Sequence, residues 1–285
     1  HAVLYSGFLA LTGALVGILF YNLRKGRGLS QAVPRGYELS YLGAAVFMAG
    51  GLGDMLWHEV FGIEVGIEAL LSPTHLVLAL GAALIVTGPL RTAWLRSPAR
   101  AVRLPALLPA LVAAALLLSL FIYFTMFASP TGEVVAAQGS RPTSQVFLLQ
   151  SLGVASILLQ AAFMMGVLLF LLRRWLLPFG SVTLVLGLST FLAVSVQEAY
   201  ELLPFALIAG IGGDLLIRWL APTPENPDRY RWFAFGLPVL YFCLYFATLA
   251  LTGGVWWTVP MWAGSIVMAG LVGLLLSFAF IPPEP

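Results

Sequence analysis

Runs of about twenty apolar residues follow one another along this chain from end to end, and that spacing constrains its fold before any single residue does. In hydrocarbon, a backbone must satisfy all of its own N–H and C=O groups, and a single run of that length can do so only as an α-helix. The spans fall near Ala2–Tyr21, Leu39–Trp57, Pro73–Leu90, Leu104–Ala128, Gln145–Leu172, Phe179–Val196, Leu202–Trp219, Trp232–Leu251 and Thr258–Phe280. The sequence therefore predicts an all-α fold: a polytopic integral membrane helical bundle of about nine transmembrane helices, with residues 1–285 forming a single transmembrane domain. Eight is the fallback count. Only Gln197–Glu201 separates the sixth span from the seventh, so this pair also reads as one broken helix or a re-entrant hairpin buried in protein.

Composition narrows the function classes. With 60% hydrophobic and 9% charged residues, no soluble domain has room to form, and the longest polar connectors, around Asn22–Gly36 and Ser129–Ser144, are short and rich in Gly, Pro and Ser. The net charge of +2 gives no nucleic-acid surface, and the basic residues sit in short loops, where membrane topology accounts for them. A single cysteine, Cys243, excludes an intrachain disulfide framework or thiolate cluster, and its apolar surroundings suggest packing. In the nine-span layout 13 of the 14 Lys and Arg residues fall on one side, Arg141 being the exception. Cytoplasmic loops collect such residues, so the N-terminus is expected outside and the C-terminus inside, in the plasma membrane of a bacterium or archaeon. Asp54, Glu59, Glu64, Glu68, Glu133, Glu198 and Glu201 then join His58 and His75 on the external face. The chain opens on His1 rather than Met, which a missing upstream segment or a processed end would explain; a free N-terminal histidine could also chelate copper through its amine and ring.

The chemistry concentrates in GDMLWHEVFGIEVGIEALLSPTHL. Ionisable side chains at membrane depth persist mainly where they pair, line a wet cavity or bind an ion. Asp54 and His58 lie one helical turn apart on one face, and Pro73 in Ser72-Pro73-Thr74-His75 opens the next span at the same end. One carboxylate and two imidazoles suit copper, with zinc or iron as alternatives; the competing reading is a hydrogen-bonded His–Asp pair that fixes helix packing. Glu64 and Glu68, spaced i, i+4 in the connector, are candidate further ligands, partners orienting an imidazole, or a solvated rim. Glu198 and Glu201 form a second polar knot, able either to supply a carboxylate to the site or to close a tight turn. Asp214 and Arg218 read as an i, i+4 ion pair, and Trp219, Trp232, Trp256, Trp257 and Trp262 as interfacial belt residues. GGLGDML at Gly50–Leu56 and GIGGDLL at Gly210–Leu216 look alike, although nothing around them matches. No phosphate-binding glycine loop, HExxH or nucleophile elbow is present.

The order Asp54, two residues, Trp57, His58, followed by a second histidine after the Ser72-Pro73-Thr74 turn, resembles the membrane copper site in the C subunit of the particulate methane and ammonia monooxygenases. The resemblance covers about twenty-five residues; the interval between the histidines is longer here, and with no histidine after His75 the family's later Asn/His/His group has no counterpart. It implies that Asp54, His58 and His75 hold copper and that the chain is a subunit of a copper-dependent membrane monooxygenase or oxidase, beside other membrane subunits or further copies of itself. Two other readings compete: a non-enzymatic membrane protein for copper or zinc delivery or transport, and a structural subunit with no metal.

Overall fold

The computed structural model describes residues 2–96, 100–131 and 137–282, without the side chains of residues 2–4; His1 and Glu133 lie outside the described residues. Among these residues the secondary structure is helical, with isolated β-bridges but no strand. The helices are α1 (Ala2–Arg24), α2 (Leu29–Ala32), α3 (Glu38–Phe61), α4 (Glu68–Leu71), α5 (Pro73–Val86), α6 (Gly88–Arg96), α7 (Leu104–Phe124), α8 (Val146–Arg174), α9 (Ser181–Gln197), α10 (Leu203–Leu220), α11 (Pro227–Thr252) and α12 (Val259–Phe280). Eight segments, from Tyr5–Arg24 at 20 residues to Val146–Arg174 at 29, are long and apolar enough to cross a membrane, and α5 with α6 makes one of them, Pro73–Arg96. The chain is thus an all-α polytopic membrane protein, with eight such segments among the described residues and one shorter apolar helix, α9, of 17 residues, between the fifth and the sixth of them. The residues cluster into two compact units, His1–Pro98 and Ala99–Pro285.

In the first unit α3 and α5 form an antiparallel hairpin. Gly81 is needed there, because a Cβ would stand 2.7 Å from the backbone nitrogen of Phe47. Such close approach is how helices associate in lipid, where apolar burial gives no preference for protein over acyl chains. Phe8 of α1 stacks on Phe47 with ring centroids 4.7 Å apart. At the other end Arg91 ties the hairpin shut: its Nε donates to the Gly36 carbonyl at 2.9 Å, one terminal nitrogen to Thr87 Oγ1, and the other to Ser40 Oγ at 2.9 Å and the Leu84 carbonyl at 2.8 Å. A charge counted in sequence as a loop residue is therefore a fully engaged tether.

The second unit is built around α8 and α11, whose buried faces include Tyr230, Phe233, Tyr241 and Tyr245. Phe205, Tyr241, Phe242, Tyr245 and Phe246 run edge to face through it. Trp257 joins this run, 6.0 Å from Phe246 and only 4% exposed, so it is a core residue and not part of a lipid-facing belt; Trp219 and Trp232 are exposed as a belt requires. Cys243 lies on the exposed face of α11 rather than in the packing.

The short helix α9 has a specific cause. It runs antiparallel to α10, Thr183 lying against Gly210 and Val182 against Gly213, where a Cβ would meet them at 2.5 and 2.7 Å. Its first turn therefore sits beside Asp214, six residues, or about 9 Å, short of the end of α10 at Leu220. A helix that starts so deep exposes unpaired N–H groups to an apolar surround. Asp214, 2% exposed, answers them: its carboxylate accepts from the Val182 N–H at 2.9 Å, the Thr183 N–H at 3.1 Å and the Thr183 hydroxyl at 2.6 Å. This corrects the expected Asp214–Arg218 ion pair; the carboxylate is spent on the neighbouring helix. Asp214→Ala is expected to lower unfolding stability by about 2–4 kcal/mol, because three donors lose a charged acceptor, whereas Arg218→Ala should change it little. Thermal unfolding of both variants in detergent checks this, and equal losses would restore the ion pair.

Candidate metal centre

Asp54 lies two turns before the end of α3, buried to 2% exposure, and three neighbours converge on its carboxylate. His58, one turn on, brings Nε2 to 3.4 Å from Oδ2. His75, third residue of α5, brings Nδ1 to 3.3 Å from Oδ1. Thr74 donates its hydroxyl to Oδ1 at 2.9 Å. The imidazoles meet edge to face, with centroids 5.9 Å apart and about a fifth of each side chain exposed. One ligand atom from each of Asp54, His58 and His75 lies within 4.8 Å of the others, so the three residues singled out in sequence do form one group. The Pro73 turn does what the sequence suggests, starting α5 beside the last two turns of α3 so that its first turn faces Asp54.

Hydrogen bonding fixes what each ring can do. His58 Nδ1 stands 3.1 Å from the Gly62 carbonyl, which can only accept, so Nδ1 carries a proton. Nε2 is then left facing a carboxylate. A nitrogen and a carboxylate oxygen facing each other at 3.4 Å are two donor atoms that one cation can bridge. A carbonyl holding the far nitrogen of a ligating histidine is also the usual way such a ring is oriented toward a metal. At His75, Ser72 Oγ lies 2.6 Å from Nδ1, the same nitrogen that faces Asp54. A Ser–His–Asp nucleophile needs the hydroxyl and the carboxylate on opposite ring nitrogens, so this arrangement is not one.

The other candidates are placed differently. Glu64 accepts from the Trp57 indole N–H at 2.9 Å through Oε1, and its Oε2 is buried without a hydrogen-bond partner. Glu68 is exposed and folds back on its own turn. Its own backbone N–H and that of Gly66, the latter 3.0 Å away, hold its carboxyl below the usual carboxylate range. Glu198 and Glu201 belong to the second unit, both exposed: Glu198 ends α9 in the left-handed region at φ 56°, and Glu201 sits in the single turn Tyr200–Leu202 that leads into α10.

Two features escape the sequence reading. Tyr5 of α1 comes within electrostatic reach of Asp54, and a Cβ at Gly51 would stand 3.3 Å from its hydroxyl. No motif signals it, because it comes from a helix far away in sequence. The second is that the two look-alike stretches carry the same device. Gly50 and Gly53 face the start of α5 as Gly210 and Gly213 face the start of α9, and in each case an Asp follows that accepts from a threonine in that first turn, Thr74 or Thr183. The resemblance between the segments thus has a physical meaning even though their surroundings differ.

Fold and site together define a polytopic helical membrane protein with a buried Asp/His/His group able to hold a cation. Comparison with protein-family models, curated proteins and solved structures gave no match.

Glu198 occupies a backbone position that favours glycine, so Glu198→Gly is expected to raise stability by about 0.5–1 kcal/mol. The same variant should retain metal like the parent protein. A parallel measurement of melting and metal content decides the residue's role, and loss of metal would return Glu198 to the site.

Proposed function

We propose that this chain is a membrane copper-binding subunit, resembling the C subunit of the copper membrane monooxygenases, in which Asp54, His58 and His75 hold one ion near the external face. The contrast between the two buried aspartates carries the reading. Asp214 spends both oxygens on three donors of α9, which accounts for it as a helix cap. Asp54 takes the one threonine hydroxyl and turns both oxygens toward imidazole nitrogens, which capping does not require. Position i+4 holds His58 in the first case and Arg218 in the second.

The donor set fits a copper ion, and equally zinc or iron: one carboxylate and two imidazoles, with partial exposure at both rings leaving room for a further ligand. Bound copper would supply redox and Lewis-acid chemistry at the membrane boundary. The chain's own residues do the rest. The Gly62 carbonyl fixes the His58 ring from its far nitrogen, Thr74 orients the carboxylate, Ser72 stands at His75 Nδ1, and Tyr5 of α1 lies within electrostatic reach of Asp54. The lipid bilayer is the immediate partner, and companion membrane subunits or further copies of the chain are expected beside it.

His58→Ala and His75→Ala should each lose most of the bound metal relative to the parent after copper or zinc loading, because two remaining ligands hold an ion poorly. Elemental analysis of folded protein is the measurement. If both variants keep full occupancy, or the parent takes up none, the cluster is a packing device.

The orientation, N-terminus outside and C-terminus inside, requires α9 to cross despite its length, since eight crossings would put both ends on one side. The asymmetric arginines support nine. In a Cys243→Ser background, Phe179→Cys and Tyr200→Cys place thiols before and after α9 at exposed positions. An impermeant reagent applied to intact cells should label Tyr200→Cys and spare Phe179→Cys. Equal labelling means that α9 does not cross, and the reverse pattern inverts the protein.

A further inference from the structure

The first turns of α11 and the last turns of α12 border an open cleft of about 370 Å³, lined by Asp228, Arg231, Trp232, Phe235 and Leu274. Its walls divide by chemistry. Phe235 and Leu274 make an apolar slot, and Trp232, 65% exposed, stands beside it as indoles do at a membrane surface. The guanidinium of Arg231 lies over the Phe278 ring, 4.4 Å from its centroid, which sets its plane. Asp228, one turn earlier, stands 3.5 Å from Arg231, with 87% of its side chain exposed.

Neither charge is used up. A contact of 3.5 Å from a terminal nitrogen to an exposed carboxylate is a weak ion pair, so the terminal nitrogens of Arg231 are not committed to it; Nε is buried and takes no part. The guanidinium therefore keeps donors for an anion, while the Asp228 carboxylate keeps acceptors for a cation. The cleft thus presents a positive group, a negative group and an apolar slot together, at the end of a helix long enough to cross a membrane. A matching ligand carries an anion, a cation and an apolar tail. A second cleft, of about 320 Å³, offers Arg218 in a mainly apolar wall, but its carboxylate, Asp214, is spent on α9.

We propose that the Asp228/Arg231 cleft binds the headgroup of a phosphatidylethanolamine-type phospholipid, its phosphate on Arg231, its primary ammonium on Asp228 and its acyl end along Phe235 and Leu274. A purely anionic headgroup would meet the Asp228 carboxylate with nothing to offset it. A quaternary choline headgroup has no N–H to donate.

The full chain, reconstituted in nanodiscs of phosphatidylethanolamine, phosphatidylglycerol and phosphatidylcholine in equal parts and released into native mass spectrometry, reads the retained lipid directly. The parent should retain phosphatidylethanolamine about fivefold over the other two, the upper range for exposed charge pairs. Asp228→Asn, at a side chain 87% exposed, should shift the preference to phosphatidylglycerol. Arg231→Gln should lose retention of every lipid, and Arg231→Lys should recover part of it, which separates charge from damage to the fold. Equal retention by the parent and Asp228→Asn, a parent preference for phosphatidylglycerol, or no retained lipid would each overturn the proposal. If Arg231→Gln does not fold, the Asp228→Asn comparison alone decides.

Discussion

The constraint behind the rest of this structure is that a helix whose first turn packs partway along a neighbouring apolar helix must find acceptors for its first N–H and hydroxyl groups inside the protein. The chain sets an aspartate at such a turn twice: Asp214 accepts from two N–H groups and a hydroxyl, and Asp54 from a hydroxyl. Gly210 and Gly213 let the starting turn of α9 approach closely, Gly50 and Gly53 face the first two turns of α5, and in each case the aspartate after the second glycine accepts from a threonine of the first turn. Asp54 and Asp214 are the result, each 2% exposed in a chain with few charges to place. Buried carboxylates are costly, and each is retained where a specific set of donors compensates it.

Once a carboxylate is held at such a turn, chemistry can be added at little structural cost. The position four residues later lies on the same helix face, and the position after the capping threonine lies in the same first turn. Asp54 has histidines at both, His58 and His75; Asp214 has Arg218 and Leu184. Both histidines approach Asp54 through ring nitrogens, and they occupy places that α9 and α10 fill with other residue types. Their presence is explained by the ring geometry itself: one imidazole proton committed to Gly62, and two ring nitrogens turned on one carboxylate.

How much of this was legible in sequence follows from which interactions are local. The helical spans were legible because bilayer length is a property of contiguous residues, and Asp54, His58 and His75 because their convergence depends on one helical turn and one proline-initiated helix start. The role of Asp214 was not: an i, i+4 arginine suggested a partner within its own helix, whereas the donors came from residues about thirty positions earlier. Trp257 was misread for the same reason, since its burial depends on Phe246 across a chain turn. Tyr5 and the Gly36 and Ser40 acceptors of Arg91 are likewise contacts at long sequence separation, invisible to periodicity.

The same distinction bears on Glu64. Its spacing from Glu68 suggests a shared helical face, yet the connector is non-helical at Glu64, and the two carboxylates part: one folds back on Gly66, the other reaches Trp57. Trp57 and His58 are adjacent on α3, so one turn of helix holds the connector at two points, Gly62 through the His58 ring and Glu64 through the indole. The connector that follows the site is thereby coupled to the ring that would ligate. An ion at His58 Nε2 would act on a ring whose other nitrogen is fastened to that connector at Gly62.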